Sequence, residues 1–110
     1  MAGTPKILGQ VGLGSTNSVL ITVPASKRWV ISMFHVQNTD STSRQVRLNH
    51  VQSGDSVAIK NRMVPDSNLP TGDFMEFWGG AVLNAGDTIQ GFSDATGVVG
   101  GTLYGIEESV

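Results

Sequence analysis

Residues 28–37 read RWVISMFHVQ, and residues 44–51 read RQVRLNHV. The segment between them, NTDSTS at positions 38–43, is rich in side chains that hydrogen-bond their own backbone and favour a turn. The second run alternates apolar and polar residues, as a strand with one face in a core does. The first run carries β-branched and aromatic residues on both faces. Together they predict an antiparallel hairpin whose first strand is covered on both sides, with a partner chain as one candidate cover.

Strict alternation divides the first of these strands into two faces. One face carries Val30, Ser32, Phe34 and Val36, and the other carries Trp29, Ile31, Met33 and His35. Both sets are mainly apolar, so the alternation alone does not tell which of them faces the core.

Outside the hairpin, 14 Gly and 4 Pro divide the chain into short segments, the pattern of an all-β sandwich or barrel. No window shows the 3.6-residue period of a helix. The further predicted strands are residues 18–23, 56–60, 74–78, 88–92 and 102–107, with a long loop over 61–73. We predict an all-β fold, an antiparallel, jelly-roll-like β-sandwich of about eight short strands.

The N-terminal segment looks different from the rest. Residues 1–14 are rich in Gly and precede the first clean strand, so we predict a flexible N-terminal arm that orders on binding. Residues 15–110 form the single β-sandwich domain of this interpretation.

Composition argues against several classes of function. Charged residues make up 15% of the chain and its net charge is -2, which disfavours a nucleic-acid partner. The start of the chain lacks the apolar run of a signal peptide, and no stretch has the ~18 apolar residues of a membrane span. We therefore expect synthesis in a cytoplasm, no membrane partner, and a homo-oligomer, with a trimer favoured because a lightly charged, small domain gains core from a neighbour.

Residue types that can serve in catalysis or metal binding are present, but their spacing does not match that of a catalytic or metal site. His35 lies inside the longest strand and His50 at the end of another, and neither has metal-ligand spacing to Cys or carboxylates. Residues 9–15, GQVGLGS, lack the Lys and the following helix of a phosphate-binding loop. We therefore expect no enzymatic activity, no metal and no cofactor.

The aromatic segment 74–78, FMEFW, is the remaining candidate site. Alternation places Phe74, Glu76 and Trp78 on one face of this strand. Core packing is the favoured interpretation for Trp78, and an interface anchor is the alternative, because Trp is enriched at binding hot spots. The candidate interface residues are Trp78, Phe74, Ile7 and Leu8.

Several segments resemble small virion proteins of tailed bacteriophages. The resemblance lies in TVPASK at positions 22–27 ahead of a long strand that ends in NTD at 38–40, in LNAGDTI at 83–89, and in GIE at 105–107. It covers residues 17–107, most of the chain, and its motifs are turns and strands without catalytic groups.

The resemblance implies a capsid decoration (cement) protein that stabilises the head shell by binding the major capsid protein or other virion proteins. Its location would be the virion, after synthesis in the host bacterial cytoplasm. A tail, fibre or baseplate-associated structural protein or adhesin is the alternative. A carbohydrate-binding module, with Trp78 stacked on a sugar, is a third hypothesis from a different class.

Overall fold

Residues 3–110 are described by a computed structural model, with the backbone alone at positions 79 and 80. Eight strands and one short 3-10 helix form within them. The strands are β1 Thr4–Gly12, β2 Ser18–Thr22, β3 Lys27–Asn38, β4 Arg44–Val51, β5 Arg62–Leu69, β6 Phe74–Leu83, β7 Thr88–Ser93 and β8 Val99–Ser109, and the helix is Ile59–Asn61. The predicted all-β class is confirmed.

The strands pair in a nested order, so that the second half of the chain retraces the first. β1 pairs with β8, β2 with β7, β3 with β6 and β4 with β5, each antiparallel. Contacts of β3 with β8 and of β4 with β7 join these pairs into a first sheet, β1-β8-β3-β6, and a second sheet, β2-β7-β4-β5. The predicted hairpin of β3 with β4 was wrong, because the turn at 39–43 carries the chain from one sheet to the other and these two strands do not pair. Nested pairs that fold into two four-stranded sheets are the topology of a jelly roll, as predicted.

The core fills the space between the two sheets. Phe34 and Leu103 from the first sheet join Leu48 and Ile89 from the second in one fully buried cluster. Where β7 passes β4, a Cβ atom on residue 91 would overlap the Arg47 carbonyl group, so this close approach requires glycine. Gly91 thus lets β7 pair with β4 within the second sheet, which carries Leu48 and Ile89 into the core.

A β-bulge divides β3 into two halves. Its register against both neighbours shifts between Ile31 and Met33. A bulge of this kind reverses the side of the sheet to which the following residues point. Trp29 and Ile31 therefore lie in the core together with Phe34 and Val36, and the strict alternation expected for this strand was wrong.

The predicted flexible arm over residues 1–14 was also wrong within the described residues. Thr4–Gly12 is an edge strand that pairs with β8 almost along its whole length, and Leu13 is buried in the core. The strand was missed because a bulge between Ile7 and Gly9 interrupts its alternation. Positions 1 and 2 of the predicted arm lie outside the described residues.

The segment that follows the hairpin differs from the prediction as well. Residues 56–60, expected as a strand, contain no strand, and the last two of them belong to the 3-10 helix. Residues 61–73, expected as a loop, contain β5, which tolerates Pro65 because it lies at an edge of its sheet. The aromatic strand does not stop at Gly79 but continues as β6 to Leu83.

Candidate interface on the outer face of the first sheet

A row of apolar side chains crosses the outer face of the first sheet. Residues that stand opposite each other on neighbouring strands point to the same side of a sheet. Tyr104 on β8 stands opposite Ile7 on β1 and opposite Met33 on β3. Met33 in turn stands opposite Trp78 on β6. The row therefore runs over all four strands, on the side away from the core.

A second apolar row lies beside the first. Ile106 on β8 stands opposite Pro5 on β1 and Val30 on β3, and Val30 stands opposite Val82 on β6. Phe74 lies on the same side, further along β6. We define the outer apolar face as Pro5, Ile7, Val30, Met33, Phe74, Trp78, Val82, Tyr104 and Ile106.

Several side chains of the outer apolar face are far more exposed to solvent than the side chains of the core. Trp78 is 68% exposed, whereas the second tryptophan, Trp29, is 4% exposed. Phe74 and Ile7 are each more than half exposed. The preference for Trp78 as a core residue was therefore wrong, because the core lies on the other side of β6, beside Met75 and Phe77.

The outer face of the second sheet is mainly polar, with Val19 and Phe92 as apolar members. Arg47 forms an ion pair with Asp66 on β5, and its guanidinium lies 4.9 Å from the centre of the Phe92 ring, which it partly covers. Arg62 donates a hydrogen bond to Asn49 at 2.7 Å. The two outer faces thus differ in chemistry, and the first sheet carries the apolar one.

Three of the four candidate interface residues named from the sequence, Trp78, Phe74 and Ile7, lie on the outer apolar face of the first sheet. The fourth does not. Leu8 lies in the bulge of β1 and packs against the core cluster, close to Gly105. Whether the three exposed residues bind a partner stays a prediction.

Six members of the outer apolar face were missed by the sequence analysis, and these are Pro5, Val30, Met33, Val82, Tyr104 and Ile106. The sequence did carry a signal for this face in the last strand. Tyr104, Ile106 and Glu108 alternate with Leu103, so Tyr104 and Ile106 form an apolar side of the strand away from Leu103. That signal does not say which of the two faces is buried.

Two pairs of charged or titratable groups flank the apolar rows. Arg28 and Glu108 form an ion pair beyond the Val30 row. His35 and Glu76 approach to 3.2 Å beyond the Met33 row, and the His35 ring stacks on Phe74 with 5.1 Å between ring centres. The two apolar rows thus lie between these pairs, and Phe74 lies beyond the second pair.

His50 belongs to a different cluster, around a buried carboxylate that sequence spacing did not reveal. Asp87 accepts hydrogen bonds from the backbone N–H groups of Asn84 and Ser53, and its Oδ2 lies 3.0 Å from Nε2 of His50. Burial opposes ionisation of this carboxyl, but the hydrogen bonds outweigh it and hold the pKa of Asp87 below its ordinary value. Asp87 therefore acts as a structural anchor for two turns.

A second carboxyl with a lowered pKa, that of Glu107, lies at the end of the core. Trp29 donates its indole N–H to Glu107 at 2.9 Å, and Lys6 forms an ion pair with the same carboxylate. These two donors, Trp29 first, hold the pKa of Glu107 below its ordinary value. Within residues 3–110, no group of three or more His, Cys, Asp or Glu side chains is placed to hold a metal ion.

Two depressions are lined in part by residues of β6. One, of about 220 Å³, opens between the edge strands β5 and β6 and is lined by apolar side chains that include Met63, Met75 and Phe77. The other, of about 360 Å³, lies at the end of β3 and is lined mainly by polar residues, among them Gln37 and Asp73, together with Phe74. The polar one combines an aromatic surface with amide and carboxylate groups.

No match to this chain was found among protein-family models, curated proteins or solved structures. In the described part of the chain, no helix has the length and apolar character needed to cross a membrane.

Proposed function

We propose that this protein is a non-enzymatic structural component of a bacteriophage virion, most concretely a capsid decoration protein. The observation that carries the proposal is the outer apolar face of the first sheet. An exposed apolar surface of this kind marks a site of protein interaction. The resemblance of the turn and strand motifs to virion proteins supplies the class of assembly.

The size of the face supports the proposal. Trp78, Phe74 and Tyr104 are 68%, 55% and 37% exposed. Since one aromatic side chain offers about 150–250 Å², these three alone leave roughly 250–400 Å² accessible to solvent. The largest apolar patch of a typical monomer is about 300–600 Å², and this face adds six further apolar residues to its aromatic ones. A face of this size favours a protein that works inside an assembly.

Such a protein would stabilise the shell by burying additional apolar surface at the contacts between neighbouring capsid subunits. Bound between neighbouring capsid subunits, each copy would remove apolar surface from water at about 25 cal/mol per Å². Each copy contributes only the surplus over the cost of association, so stabilisation of a shell comes from many copies acting together. The major capsid protein is the partner in this proposal, and no cofactor takes part.

Copy number tests the proposal most simply. Purified particles of the phage that encodes the chain are separated on a mass-calibrated gel, and the amount of this protein is compared with that of the major capsid protein. A decoration protein is present in an amount similar to the capsid protein. An amount similar to that of tail proteins would assign the chain to the tail, fibre or baseplate instead, and absence from the particle would refute a virion role.

A carbohydrate-binding module is the second candidate, favoured by the polar depression beside Phe74. Saccharides are bound by stacking on aromatic rings together with hydrogen bonds to amide and carboxylate groups, and Gln37 and Asp73 supply these. A glycan array probed with the purified protein tests this candidate. Binding that is lost in Phe74→Ala but kept in Val19→Ala would favour the module over the decoration protein.

A further inference from the structure

β6 lies at an edge of the first sheet, and within the described part of the chain it pairs with β3 alone. Asn38, at the end of β3, donates its backbone N–H to Asp73 at 2.9 Å. In an antiparallel ladder, every second residue bonds to the neighbouring strand, and the residues between direct their N–H and C=O groups to the other side. Counted in steps of two from Asp73, the residues between include Glu76 and Trp78. Their backbone groups therefore point away from β3, along what we define as the open edge of β6, residues 74–78.

The open edge of β6 lacks the features that commonly protect an edge strand. Proline, short length and bulges prevent such strands from pairing with other chains. β1 contains Pro5, β5 contains Pro65, and β2 is five residues long with a register shift after Val19. Residues 74–78 contain no proline, pair with β3 without a register shift, and include one charged residue, Glu76. The open edge of β6 is thus the least protected edge of the two sheets.

The apolar depression of about 220 Å³ lies directly beside this edge. Met75 and Phe77 line it from β6, and Met63 and Val64 line it from β5. Residues opposite each other on neighbouring strands point to the same side of a sheet. A new strand beside β6 would therefore direct its residue opposite Phe77 into the depression. Since a cavity of about 150 Å³ accepts benzene, one apolar side chain of up to aromatic size can enter.

We infer that the open edge of β6 binds an extended segment of another protein, which pairs with β6 as an additional antiparallel strand of the first sheet. In this mode of binding, main-chain hydrogen bonds supply affinity, and pockets for alternate side chains supply specificity. The residue opposite Phe77 is apolar and enters the depression. Its two neighbours lie on the outer face, a basic one opposite Glu76 and an apolar one opposite Trp78. The partner is thus a strand with three consecutive residues of the order apolar, apolar, basic.

A synthetic peptide tests the inference. The probe is a capped, fluorophore-labelled peptide, Thr-Trp-Leu-Lys-Val-Thr, whose leucine stands opposite Phe77 and whose lysine stands opposite Glu76. Fluorescence anisotropy at protein concentrations up to about 1 mM should show saturable binding. Replacement of the leucine by aspartate should weaken binding at least about tenfold, because a charge is placed in an apolar site. The absence of saturable binding, or equal binding of the two peptides, would overturn the inference.

Methylation of single backbone nitrogens of the peptide separates strand pairing from apolar contact alone. In the antiparallel register, the lysine directs its N–H to the carbonyl group of Glu76, and the leucine directs its N–H away from β6. Methylation at the lysine should lower the affinity at least about tenfold, since it removes a hydrogen bond and adds a methyl group between the strands. Methylation at the leucine should have a clearly smaller effect. Equal effects, or a larger effect at the leucine, would contradict the proposed pairing.

Two substitutions at one position test the edge from the side of the protein. Glu76→Gln and Glu76→Pro both remove the carboxylate, but only the second removes the N–H that faces the open edge. Proline is tolerated in an edge strand where the N–H points away from the sheet. Glu76→Gln should keep most of the binding, and Glu76→Pro should lose it while its circular dichroism spectrum stays unchanged. Full binding by a folded Glu76→Pro variant would refute the inference, and the methylated peptides test it independently of this fold.

Sedimentation velocity of the wild type and of Glu76→Pro tests a different occupant of the edge. A wild-type dimer that dissociates in Glu76→Pro would place a second copy on the open edge and overturn the inference. The peptide site goes beyond the proposed function, and its tests use no particles. Failure of the peptide to bind leaves the virion role intact, and absence of the chain from particles leaves the peptide site intact.

Discussion

The two tryptophans of the chain provide a direct test of which side of the first sheet is the core. Both lie in this sheet, Trp29 on β3 and Trp78 on β6. They are the only tryptophans in the chain. The perturbation is a pair of single substitutions, Trp29→Ala and Trp78→Ala.

The expected magnitudes follow from burial. Trp29 is 4% exposed, and truncation of such a residue to Ala typically costs about 3–5 kcal/mol. The Trp29 substitution also removes the indole donor to Glu107. Trp78 is 68% exposed, so it has lost about 80 Å² or less to burial, and its removal should cost at most about 2 kcal/mol. A small domain with about 5–15 kcal/mol of stability tolerates the second change and barely the first.

Urea unfolding followed by circular dichroism measures both variants, at a protein concentration low enough to keep the chain monomeric. The free energy of unfolding falls by about 1–3 kcal/mol per M of urea, so Trp29→Ala should lower the urea midpoint by at least about 1 M. The Trp78 variant should shift it by clearly less. Equal shifts, or a larger shift for Trp78→Ala, would refute the assignment of the core side.

Three further predictions concern the fold. Asp87→Asn should lower the free energy of unfolding at neutral pH by about 1.5–3 kcal/mol, since hydrogen bonds to a charged group are lost. Because the folded pKa of Asp87 is below its unfolded value, its contribution is present above about pH 4 and is lost as the pH falls; urea midpoints that decline equally with pH in wild type and variant would contradict this. Gly91→Ala should destabilise the protein in thermal unfolding, whereas Gly12→Ala, where a Cβ meets nothing within 4 Å, should not; equal melting temperatures would contradict the close approach. Deletion of residues 1–12 should lower the melting temperature and cause aggregation in light scattering, since it exposes the edge of β8; an unchanged melting temperature would support the flexible arm instead.

The fold class followed from the sequence because its signals are local. The turn NTDSTS at 38–43 and the clean alternation of 44–51 are readable without knowledge of the rest of the chain. The antiparallel sandwich and its jelly-roll character followed from the number of such segments and their spacing. The all-β class and the sandwich are confirmed, whereas the hairpin expected across the turn is not, because β3 and β4 lie in different sheets.

The positions that the sequence could not predict are those set by contacts between distant strands. β1 is stabilised by β8, some hundred residues away, and its own alternation is broken by a bulge. The bulge after Ile31 reverses the faces of β3. Neither bulge is marked by its local sequence, which reads ILG at 7–9 in β1 and WVISMF at 29–34 in β3.

The candidate site was predicted in part for the same reason. The shared face of Phe74, Glu76 and Trp78 followed from alternation and is confirmed. Which face of β6 meets the core depends on Phe34 and Val36 of the neighbouring strand, and period alone does not show it. The preference for a buried Trp78 assumed that a large aromatic residue in a strand belongs to the core, and here the strand is apolar on both sides.

The central claim is that the outer apolar face is the surface through which this protein is held in its assembly. The most direct test is the occupancy of Trp78→Ala and Val19→Ala on particles that lack the wild-type copy, measured by quantitative gel at equal protein concentrations. We expect Val19→Ala to fill the particle as the wild type does, and Trp78→Ala to lose at least about tenfold in apparent affinity while its circular dichroism spectrum stays unchanged. Equal occupancy of the two folded variants would contradict the claim.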